Sequence, residues 1–176
     1  MSRYYTFISL FLIFFFNLYS EKSYAQKNNS ESLKIFTGEW KNKCFKSDEN
    51  IKKYCLLERG MFLDKKFKKR LVTLMLRTNK NSKDVLLTII SPLGTLIPRG
   101  VGISLDSKKL NDNPYGFNYC KKNGCFTNII IKKEKIELLK KSKALNLEYT
   151  LENQQTLNIN ISLKEFSLAF DKITKF

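Results

Sequence analysis

The 176-residue chain contains no histidine. That absence removes Ser-His-Asp and Cys-His nucleophile systems, histidine-ligated zinc, and most general-base chemistry near neutral pH. Acidic residues are half as many as basic ones, with Asp+Glu 16 against Lys+Arg 32. Glu58, Asp64, Asp84 and Asp106 are scattered, and their spacing nominates no paired-carboxylate glycosidase. There is no C-x-x-C pair, so a thioredoxin-like redox site and a C-x₂-C zinc site both lack their ligands. Gly100-x-Gly102 lacks the third glycine of a dinucleotide-binding loop. The sequence therefore nominates no catalytic, cofactor-binding or metal-ligating residue. What is present suits one folded domain: the hydrophobic fraction is 43%, too high for wholesale disorder.

Met1-Ser2-Arg3 begins the chain with a short basic start, and an apolar run follows from Phe7 to Phe16. The run is shorter than the roughly 18–20 apolar residues that a membrane span needs. Ser23-Tyr24-Ala25 then places small residues at the −3 and −1 positions of a signal-peptidase site, with cleavage expected between Ala25 and Gln26. The first cysteine, Cys44, lies far beyond the apolar run, so no lipoprotein-type cysteine stands at the cleavage point. The expected organisation is a signal peptide over 1–25, a lead-in over 26–36 and a single domain over 37–176. Losing Arg3, Glu21 and Lys22 takes the net charge from +16 to +15. The mature chain has no transmembrane segment in this reading, and it resides in the periplasm or at the outer surface.

All four cysteines fall in the exported part: Cys44, Cys55, Cys120 and Cys125. An even count in a small exported domain reads as disulfides, here with three possible connectivities. Spacing favours two local bonds, Cys44–Cys55 and Cys120–Cys125. Between the second pair, Lys-Lys-Asn-Gly makes a hairpin loop in which Gly124 can take a positive φ. Closing loops this short stabilises by roughly 2–3 kcal/mol each.

Period-two alternation marks Val101–Leu105, Leu145–Leu151 and Leu157–Ile161 as strands with one wet face. Leu71–Leu76 and Val85–Ile90 are apolar on nearly every position, as central strands are. Further strands are expected around 36–45, 54–63 and 126–131, separated by Asn-, Gly- and Pro-rich turns. Seven or eight short strands so punctuated indicate an antiparallel sandwich or barrel. An outer-membrane barrel is disfavoured, because most runs are shorter than the roughly 9–11 residues of a spanning strand. Glu134–Lys143 reads as a short helix or crossover carrying a Glu137–Lys141 pair. Ser162-Leu-Lys-Glu165 has the form of a capping box, and Leu163, Phe166, Phe170 and Ile173 recur at helical spacing. A closing helix over about 163–173 follows. Trp40 and Tyr54 are expected to pack in the core or beside the cysteines, and Asp106 to serve in a turn.

The order of features, taken together, resembles the invasion-associated locus B family of exported α-proteobacterial proteins. The resemblance covers roughly Thr37 to Ile173. It is carried by Trp40-x₃-Cys44, by Tyr54-Cys55-Leu56-Leu57, and by Ser91-Pro92-Leu93-Gly94 with Gly100-Val101-Gly102-Ile103-Ser104-Leu105-Asp106. Cys120-x₃-Gly124-Cys125 and Ile161-Ser162-Leu163-x-x-Phe166-x-x-Ala169 complete it. It implies an all-β, immunoglobulin-like antiparallel β-sandwich with a short C-terminal helix, a signal peptide, no established catalytic site, and an envelope or surface role. Two departures stand out: Glu165 occupies the position before the helix phenylalanine where the family pattern leads one to expect Gly, and the chain is unusually rich in lysine.

Lysines cluster at 65–66, 68–69, 108–109, 121–122, 132–133 and 140–141, mostly flanking turns or strand ends. Lys108, Lys109, Lys121 and Lys122 are the candidate anion-binding residues, for anionic envelope polymers or lipid head groups. An envelope or host protein is the other class of partner. Nucleic acid is a poor candidate, given export and the lack of any recognised nucleic-acid module. The competing reading leaves the lysines as composition, since they outnumber arginines 27 to 5, and as edge protection. The expected function is a non-enzymatic envelope or surface interaction protein. The alternative is a periplasmic enzyme acting on an anionic or glycan substrate.

Overall fold

A computed structural model describes residues 34–45, 54–66, 68–79 and 84–175, all within the compact unit Leu33–Phe176. The expected signal segment and its cleavage point, Ala25 and Gln26, lie outside the described residues.

Two antiparallel sheets form the body. The larger contains β1 (Phe36–Thr37), β2 (Lys41–Phe45), β3 (Tyr54–Phe62), β4 (Arg70–Asn79), β5 (Val85–Ser91), β8 (Tyr119–Lys121) and β9 (Gly124–Ile131). Its order is β1-β3-β4-β5-β9-β8, with β2 also along β3. The smaller contains β6 (Val101–Leu105), β7 (Lys108–Lys109), β10 (Ala144–Thr150) and β11 (Thr156–Ser162), in the order β11-β10-β6-β7. Helix α1 (Lys133–Lys141) joins β9 to β10, and α2 (Phe166–Thr174) ends the chain.

The alternation explains the layering. Leu57 and Met61 on β3, Leu74 and Leu76 on β4, and Leu87 and Ile89 on β5 share a buried cluster with Val101, Ile103, Leu145, Leu147, Ile159 and Ile161 of the second sheet. Each such side chain contributes about 1.5–3 kcal/mol when fully buried. The strands that are apolar over nearly all of their central positions, β4 (Leu71–Leu76) and β5 (Val85–Ile90), lie mid-sheet, where part of the outer face is covered too: Thr73 and Ile90, opposite each other and facing away from the sandwich interior, are also buried.

Both disulfides form as the spacing favours, Cys44–Cys55 between β2 and β3 and Cys120–Cys125 between β8 and β9. Each joins residues directly opposite in the ladder, and each has a cross-strand aromatic stack in the adjacent pair, Phe45 on Tyr54 and Tyr119 on Phe126. Gly124 holds φ +133, and a Cβ there would lie 2.3 Å from the Ser91 carbonyl oxygen, so no other residue fits.

The closing helix starts later than the capping-box pattern predicts. The Leu163 amide donates to the Lys143 carbonyl, so the β10–β11 pairing continues through Leu163 and delays the helix to Phe166. Ser162 Oγ accepts from the Lys164 amide, but Glu165 makes no side-chain cap and instead sits at φ 66. That left-handed turn redirects the chain from strand to helix, and it gives a physical reason for a glycine at this position. The apolar stripe survives the shift: Leu163, Phe166, Phe170 and Ile173 are all buried. The Glu137 partner also differs. It reaches Lys140 (3.7 Å), not Lys141, because Lys140 is drawn to Asp171 of α2 at 2.8 Å.

Candidate functional site

The turn after β6 builds a basic hollow. Asp106 and Ser107 take positive φ (44 and 71), which folds β7 straight back on β6 so that Leu105 opposes Lys108. The last turn of α1 lies across the same end. Leu105, Leu110 and Leu138 give an apolar surface, and Lys108, Lys109 and Lys141 stand around it, enclosing a pocket of about 300 Å³. The Lys135 ammonium donates to the Leu110 carbonyl at 3.1 Å and fixes α1 against the chain that follows β7.

Asp106 is the carboxylate in this pocket. One of its oxygens accepts from the Ala144 amide at 3.0 Å, and both accept from the Lys143 amide at 3.0 and 3.1 Å. The Ala144 amide first, then Lys143, hold its carboxyl below the usual carboxylate range. Asp106 therefore pins the β6 turn to the start of β10. It closes a long-range contact, not its own turn as the sequence suggests.

Of the four candidate lysines, the fold brings Lys108 and Lys109 together with Lys141, and leaves Lys121 and Lys122 elsewhere. The latter pair sits at the β8–β9 hairpin on the edge of the other sheet, where the Lys121 ammonium lies 5.2 Å from the Tyr119 ring centroid. The carboxylates stay dispersed. Glu58 faces Arg70 at 3.9 Å, and Asp64 accepts from the amides of Lys68 and Lys69. Among the described residues no three acidic or cysteine side chains form a metal-type group. A second hollow of about 440 Å³, between Arg99, Gly102, Pro114, Glu148 and Gln154, contains one carboxylate. Tyr149 borders it, but its hydroxyl is buried toward the Leu71 carbonyl (3.5 Å), and burial pushes its phenol well up.

A separate cluster ties the first strands to the last helix. Phe36 opposes Phe62 but Lys41 opposes Glu58, so the segment between β1 and β2 contains one extra residue, a bulge that re-aims Trp40. The Trp40 indole N–H donates to the Lys164 carbonyl at 3.2 Å, and its ring centroid is 5.2 Å from that of Phe166. Arg59 lies over the same ring at 5.0 Å and donates to the Gly38 carbonyl (2.9 Å) and the Ser162 carbonyl (2.6 Å). Burial lowers the Arg59 pKa, against the opposing attraction of Glu165.

The family model for the invasion associated locus B (IalB) protein matches residues 40–174. The chain belongs to the IalB family. The matched span opens at Trp40 and closes at the end of α2, the two partners in the cluster just described. A search of curated proteins finds no match. Among solved structures, the crystal structure of invasion associated protein B from Bartonella henselae is similar, with a TM-score of 0.66 at 22% sequence identity. The alignment covers 80% of this chain and 95% of that one, and it shows a shared fold. Sequence reasoning missed Arg59 and left Lys141 out of the candidate anion-binding set of this IalB chain. Arg59 had a signal: in Tyr54–Phe62 it follows Cys55 and Leu57 and precedes Met61 on one face of an alternating strand. Lys141 was visible only as half of the 140–141 doublet, and only the placement of α1 brings it to β7.

Proposed function

We propose that this IalB-family chain is exported, begins at Gln26 after cleavage, and acts without catalysis in the periplasm or at the outer surface as a single-domain interaction protein for anionic envelope material. The observation that carries this reading is the apolar hollow ringed by Lys108, Lys109 and Lys141, in which the one carboxylate, Asp106, already accepts from two backbone amides. An anionic head group or polymer segment is offered three lysine side chains there, and its apolar part meets Leu110 and Leu138. The two disulfides and the N-terminal signal pattern support export. The fold and the mature charge of +15 favour long-range attraction of such partners.

The test is co-sedimentation of the oxidised protein with anionic liposomes or lipopolysaccharide, titrated with salt. Binding is expected at low ionic strength and is expected to fall as salt rises, because exposed charges are screened within about 10 Å at 0.1 M. Lys108→Glu with Lys109→Glu is expected to weaken it more than Lys121→Glu with Lys122→Glu. No binding at low salt, or binding indifferent to salt, overturns the reading. Intact mass of the exported protein checks the Gln26 start, and a retained Met1 contradicts it.

A further inference from the structure

Strand β11 ends the smaller sheet, and among the described residues β10 is the only strand hydrogen-bonded to it. The ladder phase follows from its two ends. The Leu163 amide donates to Lys143, and the Leu151 amide donates to Gln155. Odd-numbered residues of β11 therefore bond to β10, and Thr156, Asn158, Asn160 and Ser162 direct their N–H and C=O groups away from it. The Ser162 carbonyl is taken by Arg59 (2.6 Å) and the Lys164 carbonyl by Trp40 (3.2 Å), which closes that end. Around Asn158 and Asn160 no side chain plays that part among the described residues.

This edge is also unguarded in composition. Exposed edges are commonly blunted by lysine, proline or bulges. The chain has 32 Lys+Arg, yet Thr-Leu-Asn-Ile-Asn-Ile-Ser contains no charge, no proline and no glycine. The segment is symmetric about Ile159, with an asparagine on either side. Asn160 already donates its side-chain amide to Asn146 at 2.6 Å.

We infer that β11 is a self-complementary docking edge that pairs antiparallel with β11 of a second copy, about a two-fold axis at Ile159. In that register Asn158 faces Asn160 of the partner subunit, and both residues direct N–H and C=O across the gap. The two symmetry-related pairs form four backbone hydrogen bonds. The Asn146–Asn160 amide row then continues into Asn158 of the partner subunit, and β11, which has no lysine, sets no like charges against each other across the axis. The result joins two four-stranded sheets into one, through an isologous contact of the kind common in dimers. Because each mature copy has +15, added salt strengthens the association. Salt weakens the anionic-ligand binding proposed above, so the two readings fail separately.

The experiment is sedimentation equilibrium of the exported, oxidised protein over a wide concentration range at low and high salt. A reversible dimer that tightens with salt is expected. Asn158→Pro is the decisive variant: the Asn158 amide faces the free edge, so proline there spares the β10 ladder while removing a cross-edge donor. It is expected to weaken the dimer about tenfold or more, with the thermal midpoint of the monomer little changed. Should Asn158→Pro fail to fold, Asn158→Lys with Asn160→Lys places like charges across the axis and is expected to give monomer. A wild-type protein that stays monomeric at high salt, or a folded variant that dimerises as wild type does, overturns the inference.

Discussion

Replacing Arg59 tests whether one side chain fastens the first strands to the last helix. Its guanidinium bonds to Gly38 in the β1–β2 bulge and to Ser162 at the end of β11, so it bridges both sheets. It also covers Trp40, which itself rests on Phe166. At a partly buried site each of the two charge-assisted bonds is worth about 1 kcal/mol net, below the range for fully buried ones. The cation–π contact adds about 0.5–1 kcal/mol. Arg59→Ala thus costs about 2.5–3 kcal/mol, and for a domain of this size that lowers the melting temperature by about 5–12 °C. Arg59→Lys keeps the charge but has no fork to reach two carbonyls, and it is expected to recover less than half of the loss. Arg59→Met keeps the packing and leaves both carbonyls without their donor, so it stays near Ala. Thermal and denaturant unfolding of the oxidised protein measure all three. A shift below about 2 °C for Arg59→Ala, or full stability for Arg59→Met, refutes the bridge and leaves Arg59 as a packing residue.

Three further outcomes follow from the geometry. At Glu165, where φ is 66, glycine is expected to match or exceed wild-type stability, whereas valine is expected to cost about 1–2 kcal/mol in denaturant titrations. Replacing Cys44 and Cys55 by serine is expected to cost about 3 kcal/mol, and replacing Cys120 and Cys125 about 2 kcal/mol, because the first bond closes the longer loop (sequence separation 11 against 5). Non-reducing peptide maps of wild type are expected to yield these two pairs and no Cys44–Cys120 link. The Asp106 carboxyl is depressed in the folded state, so its contribution to stability is present above the ordinary carboxylate range and is lost as pH falls through the lowered value. Asp106→Asn is expected to be less stable at neutral pH. Its difference from wild type is expected to shrink in acid, as read by unfolding midpoints along a pH series.

Much of the architecture was legible because it rests on short-range pattern. Alternation over five to seven residues placed β6, β10 and β11, since a strand with one buried face must alternate. The doubly apolar segments located β4 and β5 at the sheet centre. Both disulfides lie between residues of one hairpin, so spacing alone favoured them, and Gly124 marked the tighter turn. The helix boundary was not legible. Leu163 fits a helical stripe, but its amide is claimed by Lys143, a carbonyl twenty residues earlier that only the β10–β11 ladder delivers. The lysine clusters were visible as doublets, and their sorting was not. Lys108 and Lys109 meet Lys141 because α1 crosses the end of β7, while Lys121 and Lys122 are carried off on the edge of the other sheet. Local periodicity reports which face of an element is buried. It says nothing about which elements share an end of the sandwich, and that arrangement decides the basic pocket and the place of β11 at the sheet edge.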